Sequence, residues 1–207
     1  MLVAFDGSDG SGKSTQVKML AEALKARGQD PLVLDHPTHF GLGKVIRNTL
    51  HVQKQRFHTW AEAFLYAADL AETALNHIKP ALEAGKPVLM HRWWYSSCVY
   101  QAHIDGADWD AVRRISLAAT SGITPDMGFI TLCKPDVAFE RIHVRGETIV
   151  SPYENIEAIR KAVEGFNKLI DSNQFYSDYS SEPLHRLDST TQTPEEIHQH
   201  VLSHLGL

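Results

Sequence analysis

Cysteine is scarce in this chain: Cys98 and Cys133 are the only two among 207 residues. Two thiols cannot build the disulfide framework of a small secreted domain, and free thiols in a reducing compartment are the simpler reading. Long apolar runs are missing as well. Nothing in the sequence approaches the roughly 18 consecutive apolar residues of a membrane span. An apolar strand is read from Leu2 onward, so no signal or transit peptide is expected and a cytoplasmic location is. Excess positive charge is absent too. A formal net charge of -5 argues against broad duplex nucleic-acid binding, which needs a basic face to neutralise phosphates. It leaves room for a local basic pocket around one small phosphate ester. The sequence holds no internal repeat, low-complexity tract or long linker. His200 and His204 share one helix face without an evident third ligand, so a solvated face is the reading there.

What is there suits one domain spanning 1–207, since 43% of the residues are apolar and a chain of this length can bury a continuous core. Short apolar runs alternate with amphipathic stretches, the pattern of a parallel sheet wrapped by helices. The strand candidates are Leu2–Asp6, Pro31–Asp35, Pro87–His91, Met127–Cys133 and Pro183–Leu187. A first helix is predicted from about Lys13 to Arg27, stopped by Gly28. A long helix is predicted from about His58 to Ala84, with Trp60, Phe64, Ala68, Ala71, Leu75, Ile78 and Leu82 facing the core. Thr193-Pro194-Glu195-Glu196 reads as a capping box opening the last helix.

The strongest signal is Gly7-Ser8-Asp9-Gly10-Ser11-Gly12-Lys13-Ser14, which fits GxxxxGK[ST]. Glycines let the backbone curl so that successive N–H groups face phosphate oxygens, and the following helix adds positive charge at its N-terminus. Lys13 then reaches the β- and γ-phosphates of ATP, and Ser14 can ligate Mg²⁺. The motif directly follows the apolar run Leu2-Val3-Ala4-Phe5 and opens an amphipathic helix, the context it requires. Gly10, Ser11, Gly12, Lys13, Ser14 and Thr15 are therefore the expected ATP-binding residues. GTPase switches, motors and small kinases all use this loop. The short chain and the absence of a guanine-recognition motif favour a small kinase.

Over about residues 2 to 172 the chain resembles thymidylate kinases. Phe5-Asp6-Gly7-Ser8-Asp9-Gly10-Ser11-Gly12-Lys13-Ser14-Thr15-Gln16 is similar to that family's P-loop, in which the acid at Asp9 sits near the sugar 3′-hydroxyl of the acceptor; the alternative is that Asp9 only caps the loop. Gly43-Lys44-Val45-Ile46-Arg47 resembles the short helix whose arginine holds the acceptor phosphate, although Arg47 reads equally as a solvated helix arginine. Leu65-Tyr66-Ala67-Ala68-Asp69-Leu70 resembles the helix beneath the acceptor base, with Tyr66 at the stacking position. His91-Arg92-Trp93-Trp94-Tyr95-Ser96-Ser97-Cys98-Val99-Tyr100-Gln101 resembles the Asp-Arg-Tyr motif and the segment after it. The resemblance implies that Arg92 bridges donor and acceptor phosphates. Arg141 and Arg145, four apart, resemble the lid-entry arginines, and Tyr153-Glu154-Asn155 follows. The implied lid is at about 146–152, closing over the phosphates to exclude water. The resemblance implies a three-layer α/β P-loop kinase fold with a five-stranded parallel sheet and a short lid. It also implies ATP and Mg²⁺ as cofactors, a small nucleotide as partner and a homodimer.

The sequence departs from the family at the acceptor side. Leu70 stands where a base-reading arginine is found, so the thymine-edge donor is missing. His91 replaces the aspartate that supports Mg²⁺ through water. His39 stands near a phosphate-binding arginine's place. Gly10 and Pro152 fill the two positions from which the family supplies a further basic residue. The expected catalytic residues are Lys13, Arg92, Arg141 and Arg145. Ser14 is the expected Mg²⁺ ligand, with Asp6 helping through water. Asp9, His39, Arg47, Tyr66, Leu70, Arg92, Tyr100 and Tyr153 are the expected acceptor residues. The reading is an ATP-dependent kinase of a (deoxy)nucleoside monophosphate, thymidylate or an altered pyrimidine nucleotide, with a substituted pyrimidine the leading acceptor and dTMP expected to be a poor substrate. A kinase acting on a hydroxyl, such as one on a modified base in nucleic acid, and a non-catalytic ATP-binding protein are the alternatives.

Overall fold

A computed structural model of the chain describes residues 1–144, 153–172 and 184–207. The expected lid at about 146–152, with Arg145 and Pro152, lies outside the described residues, as does Pro183. Five parallel strands form one sheet in the order β2-β3-β1-β4-β5: β1 (Leu2–Gly7), β2 (Leu32–Asp35), β3 (Val88–His91), β4 (Met127–Leu132) and β5 (Leu184–Asp188). Each matches a sequence-predicted strand to within one or two residues. Leu2 pairs with Val88 and Val3 with Met127, so β1 is central. A central parallel strand is covered on both faces and reads as a near-continuous apolar run; all six residues of β1 are buried, with Asp6 the one charged side chain among them.

Side chains alternate across the sheet, and the two halves of the core follow that alternation. Leu2 and Ala4 of β1, Val88 and Met90 of β3, and Ile130 and Leu132 of β4 face one layer. It is built from α3 (Thr59–Thr73), α6 (Trp109–Ala119) and α8 (Ile156–Asp171). Val3, Phe5, Leu89 and Phe129 face the other, built from α1 (Lys13–Ala26) and α9 (Pro194–Leu205). α1 ends one residue before the expected Arg27, and Gly28 follows at φ +78°. The α9 capping box forms as expected: Thr193 N donates to Glu196 Oε2 at 2.8 Å and Glu196 N to Thr193 Oγ1 at 3.2 Å. The remaining helices are α2 (Gly41–Ile46), α4 (Lys79–Glu83), α5 (Tyr95–Ser97) and α7 (Pro135–Val144). π-helical segments continue α2 through Arg47–Val52, join α3 to α4 through Ala74–Ile78, and extend α5 through Cys98–Ile104.

The long helical run from Thr59 to Glu83 exists, and its inward face is only partly the one expected. Ile78 is buried and Trp60 and Leu82 pack against the core as expected, but Phe64 is 57% exposed and Leu75 43% exposed, while Ala63, Ala67, Leu70, Ala74 and Ala81 are buried. Two physical reasons account for this. The π segment adds a residue per turn and shifts the register beyond Thr73. The buried face also carries Glu62 and Asp69, which a polarity count assigns to solvent but which find internal partners described below. Leu70 thereby enters the core, 1% exposed and packed in the same cluster as Trp93, Tyr95 and Phe166. Leu70→Ala is expected to cost about 2–5 kcal/mol of stability, the range for deleting a fully buried leucine. Urea denaturation of the two proteins measures it; a change below about 1 kcal/mol contradicts the placement.

Candidate active site

The site lies at the carboxyl ends of β1, β2 and β3, where the connection from β1 leads to β2 on one side of the sheet and the connection from β3 leads to β4 on the other, the usual ligand crevice of an open parallel sheet. β1 ends at Gly7, where φ is +134° and an added Cβ would lie 1.9 Å from Thr131 O. Only glycine fits there. The loop then turns through Gly10 (φ +75°) and Gly12 (φ +93°) into α1. A Cβ on Gly10 would lie 2.5 Å from Ala138 O on α7, so this loop cannot carry a basic side chain at that position without moving α7. Lys13 Nζ donates to Ser8 O at 2.7 Å and lies 3.7 Å from Asp9 Oδ1. The buried hydroxyls of Ser8 and Ser11 have no hydrogen-bond partner among the described residues. A glycine-curled loop, orphaned hydroxyls and a lysine at a helix N-terminus fit a phosphate chain.

At the end of β3, Arg92 adopts φ +73°, a left-handed conformation costly for a non-glycine residue and maintained only where surrounding bonds over-determine it. Its N donates to Phe5 O at 2.8 Å. Its guanidinium donates to Gly7 O at 3.0 Å, Ser96 Oγ at 2.9 Å and Asp9 Oδ1. Arg92 thus crosses from β3 to the phosphate loop, with its guanidinium 5.5 Å from the Tyr100 ring centroid. Burial pushes the Asp9 carboxyl up, but the charges of Arg92 and Lys13 outweigh it and hold the pKa below the ordinary carboxylate value.

Asp6 does not occupy the place expected of it. It is 0% exposed and accepts from Gly7 N at 2.9 Å, Trp93 N at 3.1 Å, Ser96 N at 2.9 Å, Ser96 Oγ at 2.6 Å and Arg92 Nη1 at 3.3 Å. Both oxygens are engaged by protein donors, so Asp6 organises the turn after β3 rather than a metal-bound water. The ring facing the phosphate loop is His91: its Nδ1 lies 2.8 Å from Asp35 Oδ1 and its Nε2 3.2 Å from Ser14 Oγ. Burial lowers the His91 pKa below the ordinary imidazole value, and Lys13 and Arg92 add to that against the bond to Asp35.

A cavity of about 520 Å³ runs from Lys13 and Ser14 past His91 and Arg92 to Tyr66, Tyr100 and Tyr153. Asp9, Gly10, Gly12, His39 and Arg47 also line it. Arg47 is half-buried rather than fully solvated: Nε donates to Pro37 O at 2.8 Å and Thr38 O at 3.1 Å, and burial lowers its pKa. His39 stays largely exposed beside Asp35, 3.2 Å away. Leu70 is absent from the lining, because its side chain is in the core. Arg141 is absent from it as well: it donates to Ser189 O at 2.8 Å and Ser189 Oγ at 3.0 Å, and reaches Gly10 O at 3.4 Å, bracing the phosphate loop against the end of β5.

Sequence reasoning missed Arg56 and Glu62. Arg56 Nε and Nη2 donate to Glu62 at 2.7 and 2.9 Å, and Nη2 also reaches Asp105 and the Tyr153 hydroxyl at 2.8 Å each. Its guanidinium lies 5.1 Å from the Tyr153 ring centroid. Arg56 belongs to no motif, and Glu62 reads as an ordinary first-turn acid, so the pair has no local signal. Asp35, at the end of β2, was read only as a strand residue.

Because Asp6 satisfies five donors inside the protein, Asp6→Ala is expected to lose at least about 3 kcal/mol, since each orphaned buried donor costs about 1–3 kcal/mol. Urea denaturation reads it directly. A loss below about 1 kcal/mol would show that solvent, rather than Asp6, satisfies these groups.

Comparison with known proteins agrees with this geometry. The family model described as "Thymidylate kinase" matches residues 5–190. The thymidylate kinase of Halothermothrix orenii is 33% identical over 194 residues, covering 90% of this chain and 93% of the relative. That of a Synechococcus species is 32% identical over 206 residues, covering 96% and 92%. The crystal structure of thymidylate kinase from Ehrlichia chaffeensis shares the fold with a TM-score of 0.76 at 22% identity, covering 100% of this chain and 98% of that one. With the phosphate loop, Arg92 and the aromatic end in one cavity, and with this match along nearly its whole length, the chain belongs to the thymidylate kinase family.

Proposed function

We propose that this enzyme transfers the γ-phosphoryl group of ATP to a pyrimidine deoxynucleoside monophosphate, and that Arg56 rather than position 70 reads the base edge. The family makes it an ATP-dependent nucleoside monophosphate kinase; the choice of acceptor is our reading. One observation carries it: a single cavity joins the phosphate loop to three tyrosines, with Arg92 between the two ends. The donor phosphates would lie on Gly10, Ser11, Gly12, Lys13, Ser14 and Thr15, and the acceptor phosphate toward Arg47 and Arg92. Asp9, turned toward Arg92, would meet a sugar hydroxyl. Tyr66, Tyr100 and Tyr153 offer flat surfaces for a base. Ser14 would hold Mg²⁺ with the nucleotide, supplying charge neutralisation to the phosphates. Phosphoryl transfer asks little covalent work of a protein, so positioning and charge carry the catalysis. Arg145 joins Lys13 and Arg92 on the strength of the resemblance, and Arg141 acts by holding the phosphate loop.

A group on the acceptor cannot face Leu70, which lies in the core. Arg56 is a cation at the aromatic end of the lining, and its bonds to Glu62, Asp105 and Tyr153 engage Nε and Nη2. That leaves Nη1 directed by a fixed frame, a pre-organised donor for a base carbonyl. We also infer a homodimer and a cytoplasmic location. The exposed apolar side chains Phe64 and Leu75 on one helical run support the first, and the two buried free thiols fit the second. No helix among the described residues is long and apolar enough to cross a membrane.

Two measurements test the phosphate end of the proposal. Lys13→Ala should retain less than about a tenth of the activity, a loss above about 1.4 kcal/mol in the barrier. Arg92→Ala should lower turnover about 10³-fold or more, the scale of an arginine on transferring phosphate, while ATP binding by titration changes far less. Equal losses of both would make Arg92 a ground-state contact.

For the base end, wild type and Arg56→Ala are compared on dTMP and on ring-substituted pyrimidine monophosphates. Arg56→Ala should raise the acceptor KM about tenfold or more, as loss of a buried hydrogen bond to a charged group costs about 1.5–3 kcal/mol, and leave the ATP KM unchanged. An unchanged acceptor KM rejects Arg56. Wild-type preference for a substituted acceptor over dTMP would return the reading to a pocket without a donor on that edge.

A further inference from the structure

His91, Asp35 and Ser14 form an array that the phosphoryl-transfer chemistry above leaves without a purpose. Asp35 projects from the end of β2 and His91 from the end of β3, and β2 and β3 pair in parallel with Asp35 opposite His91. The sheet register therefore sets the two side by side. An ionised carboxylate only accepts, so Asp35 Oδ1, 2.8 Å away, takes the Nδ1 proton of the ring. The Nε2 lone pair is then the free face of a neutral imidazole, and it points at Ser14 Oγ, 3.2 Å distant, from which it accepts a hydrogen bond. Carboxylate, imidazole and an open Nε2 in a row are the arrangement by which proteins orient a metal-binding histidine. The residue at the other end is the P-loop serine whose chemical type binds the nucleotide's cation.

The spacing fits. Two adjacent ligands of an octahedral ion with bonds of about 2.1 Å lie about 3.0 Å apart, close to the 3.2 Å between Nε2 and Ser14 Oγ. No group of three or more His, Cys, Asp or Glu side chains suited to a metal is present among the described residues. The protein alone is not a metal cage, and the remaining ligands must come from phosphate oxygens and water.

The geometry points to His91 Nε2 as a direct ligand, beside Ser14 Oγ, of the divalent cation that arrives with the nucleotide, with Asp35 as its positioning residue. This inference rests on the nucleotide-binding reading of the P-loop. An imidazole nitrogen suits first-row transition ions better than Mg²⁺, which prefers oxygen and keeps its water. The site should consequently favour Mn²⁺ over Mg²⁺ more than one with a carboxylate at position 91. On binding, the Ser14 hydroxyl exchanges its hydrogen bond to Nε2 for an oxygen–metal contact and keeps its proton, so no proton is released.

The experiment uses the full chain with ADP and Mn²⁺. Fluorescent-ADP titration first measures nucleotide binding. Electron spin-echo spectroscopy of the Mn²⁺·ADP complex then looks for coupling to a histidine nitrogen, with ¹⁵N-histidine labelling to identify it. Wild type is expected to show the coupling and His91→Gln to lose it while still binding ADP. His91→Asp should lower the Mn²⁺-over-Mg²⁺ preference in nucleotide affinity at least about tenfold, and Asp35→Ala should weaken Mn²⁺ about 10–100-fold, the usual effect of losing a ligand's orienting partner. ADP and Mn²⁺ binding to wild type without histidine coupling overturns the inference alone. Failure of ADP to bind at all overturns it together with the P-loop reading.

Discussion

The site depends on one buried carboxylate. Asp6 ends the apolar run of the central strand and lies with 0% exposure where β1 meets the turn after β3. Its two oxygens gather backbone N–H groups of Gly7, Trp93 and Ser96, the Ser96 hydroxyl and one Arg92 nitrogen. A carboxylate so deeply buried is tolerable only when its lone pairs are satisfied. Satisfying them requires the chain after β3 to fold back over β1 in one conformation. That constraint holds Arg92 at a positive φ and delivers its guanidinium to the phosphate loop. Asp6 was expected to support a metal-bound water; the donors around it are protein groups, and the position of Arg92 rests on them.

From this anchor the cavity acquires an order. The phosphate loop, the His91–Asp35 pair, Arg92 with Asp9, Tyr100, Tyr153 and the Arg56–Glu62 pair follow one another through contacts of hydrogen-bond or ring-packing length. Charges of both signs alternate along this path. Each arginine has a carboxylate within reach, which keeps the cations in fixed positions before a substrate enters. Glu62 is 1% exposed and would be intolerable without Arg56, which is why the long helix turns a polar side chain inward and leaves Phe64 outside.

Much of this was legible in the residue order. The P-loop has a local signature because its function needs consecutive backbone groups, and the five strands have one because a doubly covered parallel strand is apolar along its length. The capping box of α9 and the stop at Gly28 are equally local. Tyr66, Tyr100 and Tyr153 were assigned to the acceptor side by resemblance, and the fold brings them to one cavity. The face of the long helix was misread in part, at Phe64 and Leu75, since periodicity counts apolar residues and cannot see that Glu62 and Asp69 will find Arg56, His36 and Thr38. Leu70 followed that error into a pocket it does not line.

The chain's order of residues settled the sheet and the nucleotide loop. These follow from short-range patterns whose physical cause lies within a few neighbours. The partnerships were settled by folding: Asp6 with the turn after β3, His91 with Asp35 and Ser14, and Arg56 with Glu62 and Asp105. Each joins residues from separate elements, so sheet register and helix packing, rather than spacing along the chain, select the partner. A carboxylate's role depends on which donors surround it, and those donors are assembled only once β1, β2 and β3 lie side by side.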